Sequence, residues 1–250
     1  MPPSIWVYDI ETTPNLVYSW GLWQQNIAIN QIVKSQDILC FAAHKVGTKT
    51  VEAHAAWDDR DAMIRRLWEI MDDADFMVGY NHAGFDNKHV NAAYIKADMK
   101  PPSPYQDKDL LKVVRKHFNF PSRKLDYVCG ALGLDVKVST GGMDLWTKCM
   151  NGDPAAQRKM LKYNKQDVRI TTQLFHHLNG LSWVDTGIGQ LFFDEDAVAR
   201  CIACGGDRIQ RRGWLPSSNG QWKRQRFQCA DDKCGKWMVS GKRVPMMAAV

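Results

Sequence analysis

Two acidic residues two positions apart, Asp9 and Glu11, stand at the end of the apolar run Ile5–Ile10 (IWVYDI). In an extended strand, side chains two residues apart leave the same face about 7 Å from each other, so two carboxylates there can share one cation. Far along the chain Tyr163 precedes Asp167 by one helical turn, which stacks the two side chains on one helix face. A further acid, Asp86, follows Phe85 where a strand gives way to a helix. Carboxylate oxygens suit hard divalent ions such as Mg²⁺ or Mn²⁺, which retain part of their water shell and need no His or Cys ligand. Two such ions about 4 Å apart are the equipment for opening a phosphodiester: they neutralise its charge, activate water and stabilise the leaving oxygen. Each pattern alone is commonplace, since Asp-x-Glu is usually a solvated strand edge and Tyr-x-x-x-Asp recurs on amphipathic helices. Their occurrence together, in this order, is what carries information.

A second constellation lies near the C-terminus, where Cys201-Ile-Ala-Cys204-Gly-Gly and Cys229-Ala-Asp-Asp-Lys-Cys234-Gly are separated by 24 residues. Thiolates so placed reach one tetrahedral Zn²⁺, and the glycines behind each pair permit the turns that such knuckles need. The second pair departs from the commonest pattern, having four residues between its cysteines in place of two. The chain has 7 cysteines, so a full disulfide scheme would leave one over, and a reducing compartment favours a metal. Cys40, Cys129 and Cys149 sit in apolar or helical contexts and read as small buried residues. Between the two pairs run Arg208-Ile-Gln-Arg211-Arg212-Gly-Trp214 and Trp222-Lys-Arg224-Gln-Arg226-Phe227, around a Pro216–Gly220 turn. Strands of this kind present cations and aromatic rings, a combination that holds phosphates and stacks on bases. Arg211, Arg212, Trp214, Trp222, Arg224 and Arg226 are therefore candidate nucleic-acid contacts, suited to positioning more than to reading sequence. A solvated basic hairpin is the plainer reading of the same residues.

The elements that must position these groups follow from periodicity. Ile5–Ile10, Ile38–His44 and Thr50–His54 read as three strands, the last two separated by a Gly47 turn. Apolar residues at Met63, Ile64, Leu67, Trp68 and Met71 give Arg60–Asp72 a helical period, Phe76–Tyr80 returns to strand, and Asp86–Lys96 is helix again. Pro101–Tyr105 is a loop, Leu110–His117 and Leu125–Leu132 are helices, and Val138–Asp144 (VSTGGMD) is a surface loop. Asp153–Pro154 has the form of an N-cap followed by proline in the first helical position, opening a helix that runs to about Leu178 before Asn179–Gly180 stops it. Strands followed by alternating helix and strand imply an α/β fold built on a central mixed sheet.

Taken together, Asp9-Ile10-Glu11, Asn81-His82-Ala83-Gly84-Phe85-Asp86 and Tyr163-Asn164-Lys165-Gln166-Asp167 resemble the three motifs of the DEDD exonuclease superfamily in its tyrosine-bearing branch. That branch includes ribonuclease D and the proofreading domains of family B DNA polymerases. Val78-Gly79-Tyr80-Asn81, Lys124-Leu125-Asp126-Tyr127 and Leu132-Gly133-Leu134 fit the same resemblance, which spans about residues 5–178. It implies an RNase H-like fold, a 3′→5′ exonuclease activity and two Mg²⁺ or Mn²⁺ ions. It also implies that Asp9, Glu11 and Asp167 hold the first ion, that Asp9 bridges to the second, and that Asp86 supports the second through water. Tyr163 would orient the attacking water, a role suited to a phenol whose ordinary pKa is about 10. Thr12 and Thr13 would touch the terminal nucleotide, Leu16 would wedge against its base, and Asn81 would contact substrate or cap the turn before Asp86. Trp20 and Trp23 are either base-stacking or core residues, while His82 and His89 are expected to be structural. The cysteine module resembles a zinc ribbon holding one structural Zn²⁺.

The net charge of +6 is unevenly spread: residues 200–250 hold 11 Lys/Arg against 3 Asp/Glu, a net +8 that leaves −2 for residues 1–199. A basic tail beside a near-neutral body points to a polyanionic partner, nucleic acid first among them. Charge does not separate DNA from RNA, and DNA is the favoured substrate with RNA as the other. Apolar and charged fractions of 45% and 24% exclude a disordered or fibrous chain. No apolar run approaches the roughly 20 residues that span a bilayer, and the N-terminus turns acidic before a signal core forms, so a cytoplasmic enzyme is expected. The expected division is an exonuclease domain over 1–180, a connector over 181–199 and a four-cysteine zinc-ribbon module over 200–250. With 83 residues after Asp167, a free-standing exonuclease is expected and not a polymerase. Two other functions fit the same residues: an exoribonuclease or structure-specific nuclease on the same site, or a non-catalytic nucleic-acid binder acting through the ribbon.

Overall fold

In β1 (Ile5–Thr12) successive residues serve opposite faces of a sheet. The computed structural model describes residues 3–23, 25–136, 142–181, 183–184, 201, 204–217, 221–240 and 243–246. After β1 come the short β2 (Leu16–Val17) and β3 (Ile32–Lys34), then β4 (Ile38–Lys45), β5 (Val51–Ala55), α1 (Ala56–Asp73), β6 (Phe76–Gly79), α2 (Asp86–Lys96), β7 (Gln106–Asp109), α3 (Leu110–His117), α4 (Leu125–Ala131), α5 (Met143–Met150) and α6 (Pro154–Gly180). Five strands form one sheet in the order β5-β4-β1-β6-β7. Pairing is antiparallel from β5 through β4 to β1 and parallel from β1 through β6 to β7, the mixed sheet that the strand pattern predicts.

Trp6, Tyr8 and Ile10 turn one face of β1 into a core with Phe41 and Ala43 of β4, closed by Met63, Ile64, Leu67, Ile70 and Met71 of α1 and by Val90, Ala93 and Tyr94 of α2. Burying a large apolar side chain contributes roughly 1.5–3 kcal/mol, so this layer anchors the central strand firmly. Leu39, Cys40 and Ala55 belong to a second core with Leu145 and Cys149 of α5 and Ala156 and Met160 of α6. By strand alternation Asp9 and Glu11 lie on the face of β1 opposite Trp6, Tyr8 and Ile10. Two carboxylates thus occupy positions where apolar residues would complete the sheet.

The Ala56–Asp73 run is broken at Asp59, whose φ of −160° and ψ of 105° are not helical. The Asp59 carboxylate accepts the Ala62 amide at 2.9 Å, the geometry of an N-cap, so the regular helix starts at Arg60 as its periodicity predicts. Asp153 caps α6 by accepting the Ala155 and Ala156 amides at 2.8 and 3.1 Å. Three elements depart from the periodicity. Strand β7 is polar (QDKD) and joins the sheet edge through its backbone, β2 pairs with β3 as a short ribbon, and Met143 and Asp144, which the sequence pattern places in a loop, open α5. Residues 138–141 of that loop, and most of the 181–199 connector including Gly187–Gly189, fall outside the described residues.

The chain divides into two compact units, Met1–Phe175 and His176–Val250. In the second, β8 (Ile209–Pro216), β9 (Trp222–Cys229), β10 (Trp237–Val239) and β11 (Val244–Pro245) form an antiparallel sheet around β9. Its small core is Cys201, Cys229 and Met238 with Ile209, Phe227 and Cys234 against them. Among the described residues, no helix is long and apolar enough to cross a membrane.

Candidate active site

Strand β1 supplies Asp9 and Glu11, and α6 supplies Asp167, buried, with Tyr163 one turn earlier and half-buried. One oxygen each from Asp9, Glu11 and Asp167 lies within 4.8 Å of the others. Ionised carboxylates at that distance repel by roughly 3–4 kcal/mol per pair at an effective dielectric near 20. An all-oxygen set held together despite this repulsion fits a hard divalent cation, which removes the repulsion and matches the donors. Asn164, fully buried on α6, donates Nδ2–H to the Asp9 carboxylate at 2.8 Å and lies 3.3 Å from the Asp9 carbonyl oxygen.

Asp86 stands at the start of α2, 5% exposed, and its Oδ1 accepts the Ile10 amide at 3.1 Å. Burial raises its carboxyl above the ordinary carboxylate range, although the Ile10 N–H pulls the other way. It is therefore tied to the backbone beside Asp9 without joining the close triplet, as a carboxylate acting on a second ion through water would be. The turn before it is made by Asn81, whose φ of 69° is left-handed and whose carbonyl accepts the Gly84 and Phe85 amides at 3.0 and 3.1 Å. Asp109 holds that turn, accepting the Asn81 amide at 2.9 Å while capping α3 through Leu111 N–H at 3.0 Å. Behind it His82 is buried and its Nε2 meets Asp107 at 2.9 Å, with Asn87 donating to the same oxygen at 3.0 Å and Tyr8 donating to Asn87. Gly79 is required there, because a Cβ would come within 2.7 Å of His82. His82 is structural, as expected, and His89 lies against the Phe85 ring at 4.5 Å.

Two openings lie beside the end of β1. One of about 370 Å³ is lined by Asp9, Tyr80, Asn81, Leu111, Lys124, Leu125 and Asp126. The other, about 430 Å³, is lined by Thr12, Thr13, Pro14, Gln36, Gly142, Met143 and Trp146. Trp146 donates to the Thr12 carbonyl at 3.1 Å and meets the Tyr163 ring edge-on at 6.5 Å, fixing one wall relative to the tyrosine. Thr12, Thr13 and Asn81 thus border the openings, whereas Leu16 is 59% exposed on β2 and lines neither. Trp20 and Trp23 are 100% and 83% exposed, which sets aside the core reading for both. Asn164, Trp146, Asp107 and Asp109 escaped the sequence reading. Of these only Asp109 carried a local signal, an Asp directly before the Leu110–His117 helix.

In the second unit the sulfurs of Cys201, Cys204, Cys229 and Cys234 lie within 4.8 Å of one another. Cys201 and Cys234 are 3.5 Å apart and Cys204 and Cys229 3.7 Å. Zn–S bonds of about 2.3 Å in a tetrahedron place sulfurs about 3.8 Å apart, so the cradle has the dimensions of a zinc site and not of disulfides. Gly205 and Gly235, immediately behind the two knuckles, have left-handed φ of 73° and 58°.

The sheet register distributes the basic and aromatic residues over both faces. Trp222, Arg224 and Arg226 alternate with Lys223, Gln225 and Phe227 along β9, and Trp237, opposite Gln228, joins the first set. Trp214 pairs with Gln225 after a bulge at Arg212–Gly213, which puts it on the second face, under the Lys223 ammonium at 4.9 Å. Arg211 pairs with Phe227 on that same face. Arg226 lies over the Trp237 ring at 5.9 Å.

Residues 7–179 match the family model described as the RNase_H superfamily. No curated protein matches the chain. Among solved structures, the family B DNA polymerase from the hyperthermophilic archaeon Pyrobaculum calidifontis is similar in fold, with a TM-score of 0.55 over 72% of this chain at 19% identity. The likeness spans 25% of the polymerase chain, so this chain corresponds to a part of that larger molecule.

Proposed function

Because the chain belongs to the RNase H superfamily, we propose that it is a metal-dependent 3′→5′ exonuclease that releases nucleoside 5′-monophosphates from single-stranded 3′ ends of nucleic acid, DNA before RNA. The observation that carries this reading is the convergence of Asp9, Glu11 and Asp167, drawn from the first strand and the last helix of the nuclease unit, to within 4.8 Å. Asp9, Glu11 and Asp167 would hold one Mg²⁺ or Mn²⁺, and Asp9 with Asp86 would support a second. When bound, such ions neutralise the phosphodiester, lower the pKa of the attacking water and stabilise the leaving 3′-oxygen. Tyr163, whose ring meets Trp146 edge-on and which lies one helical turn before Asp167, would orient that water through its hydroxyl. DNA stands first because the solved structure similar in fold is that of a DNA polymerase.

The four thiolates would hold one structural Zn²⁺, and the ribbon would hold the strand on the face that carries Trp222, Arg224, Arg226 and Trp237. That face has two guanidinium groups and two indoles and no acid, the combination suited to phosphates and stacked bases. Gel assays on 5′-labelled and 3′-labelled DNA and RNA strands test the whole reading. Mg²⁺ or Mn²⁺ is expected to produce a ladder shortening from the 3′ end, absent in Asp9→Ala and slowed about 100-fold in Tyr163→Phe. A ladder on RNA alone would select the exoribonuclease reading, internal cuts the structure-specific nuclease, and no metal-dependent cleavage of any strand would leave a binding protein.

A further inference from the structure

Asn164 stands between Tyr163 and Asp167 on the inward side of α6, and its amide is wholly buried. A buried amide must find partners for both its ends, and this one bridges two strands. Its Nδ2 lies 2.8 Å from Asp9 Oδ2 and 3.3 Å from the Asp9 carbonyl oxygen. Its Oδ1 lies 3.9 Å from the thiol of Cys40, the residue paired with Glu11 across β1 and β4. The opposite amide orientation would press Oδ1 against a carboxylate and is disfavoured by charge. The Asp9 side chain is thereby fixed about its carboxyl plane by a donor that reaches no solvent.

We propose that Asn164 is the positioning residue for Asp9: it fixes which lone pairs of that carboxylate face Glu11 and Asp167, and so sets the affinity of the acidic cluster for its divalent ion. The inference rests on the metal-dependent reading of the cluster. A carboxylate bridging two ions loses more from a rotated plane than one binding a single ion, because both ions depend on the direction of its lone pairs. Removing such a supporting hydrogen bond characteristically weakens metal affinity or activity by about 10–100-fold.

The test is Mn²⁺ binding to the full, zinc-loaded chain, read by the electron paramagnetic resonance of free Mn²⁺, in wild type, Asp9→Ala, Asn164→Ala and Asn164→Leu, which keeps the branching and the number of heavy atoms. The expected result is saturable binding by wild type, its loss in Asp9→Ala, and affinity lowered by about 10–100-fold in both Asn164 variants. The Mg²⁺ concentration for half-maximal strand cleavage should rise in parallel, with KM for the strand at saturating metal nearly unchanged, a split that a general loss of folding does not produce. Should both variants fail to fold, the side-chain amide resonance of Asn164 in the wild-type protein decides, and it should shift with the same midpoint as metal binding. Wild-type Mn²⁺ affinity in either folded variant, or an amide resonance that ignores the metal, overturns the role of Asn164 and leaves the nuclease reading intact. If wild type itself shows no binding that depends on Asp9, the metal-dependent reading fails and this inference fails with it.

Discussion

The two ligand clusters of this chain are built in opposite ways. The acidic one draws donors from β1 and α6, where Asn164 and the residue it holds are 155 positions apart, and it is mounted on a five-stranded sheet whose apolar cores owe nothing to a cation. The cysteine one draws donors from two knuckles 33 positions apart from first to last, around a core with Cys201, Cys229 and Met238 as its buried residues. A fold with a large core can carry like charges at close range and still stand. A unit of that size has too little apolar surface to fold without a staple. The acids are thus a site that the fold supports, and on the proposed zinc reading the thiolates are a site that supports the fold.

The strongest challenge to this contrast is removal of zinc. Binding at structural zinc sites is worth about 10–16 kcal/mol, more than a small ribbon can replace. Stripping the ion under reducing conditions, or the change Cys229→Ser, should abolish amide-exchange protection in β8, β9 and β10 while leaving β1, β4 and β6 protected. Protection of the ribbon strands in zinc-free protein would break the comparison. A smaller effect separates the two ribbon faces. Trp222→Ala should weaken binding of a single strand by about 1–3 kcal/mol, the typical loss per stacked base. Trp214→Ala should do less, since the Lys223 ammonium already covers that indole. Equal losses in a fluorescence-anisotropy titration would mean that the strand crosses both faces.

How far each cluster was legible in the sequence follows from how it is built. The knuckles are local, so spacing and the glycines behind them suffice, and the left-handed φ at Gly205 and Gly235 bears that out. The boundaries of α2 and α3 agree with periodicity residue for residue, because both helices present an apolar stripe to a core. The acids were found through an ordered set of motifs and not through any one of them. What stayed hidden is what the tertiary structure adds: β7 has no apolar period and enters the sheet through backbone pairing, yet its Asp107 and Asp109 hold His82 and Asn81. Asn164 looks like any polar residue on a long helix until α6 is laid against β1. The division of Trp214 from Trp222 depends on one bulge, which shifts the register by one residue and with it the face of every side chain beyond.

The smallest expected effect concerns sign. Removing a thiolate should destabilise its unit, whereas neutralising a buried acid should stabilise its own when no divalent ion is bound. Burial holds the Asp86 carboxyl above its unfolded value, so between the two values the folded chain binds more protons than the unfolded one. The stability this group contributes is fully present below the unfolded pKa and is lost as pH rises through the folded one. Asn at this position keeps an oxygen to accept the Ile10 amide and has no proton to lose. Without Mg²⁺ and with zinc in place, Asp86→Asn should therefore melt with wild type near pH 3 and above it at pH 7–8. The gap should open as pH rises through the folded value, read as a higher Tm for the variant. Groups remote from Asp86 cancel in this difference. Saturating Mg²⁺ should close or reverse the gap, since the ion stabilises only the form with its carboxylate. A variant less stable than wild type at pH 7 without Mg²⁺ would mean that Asp86 holds the fold together as the cysteines do, and the contrast between the two clusters would fail at that residue.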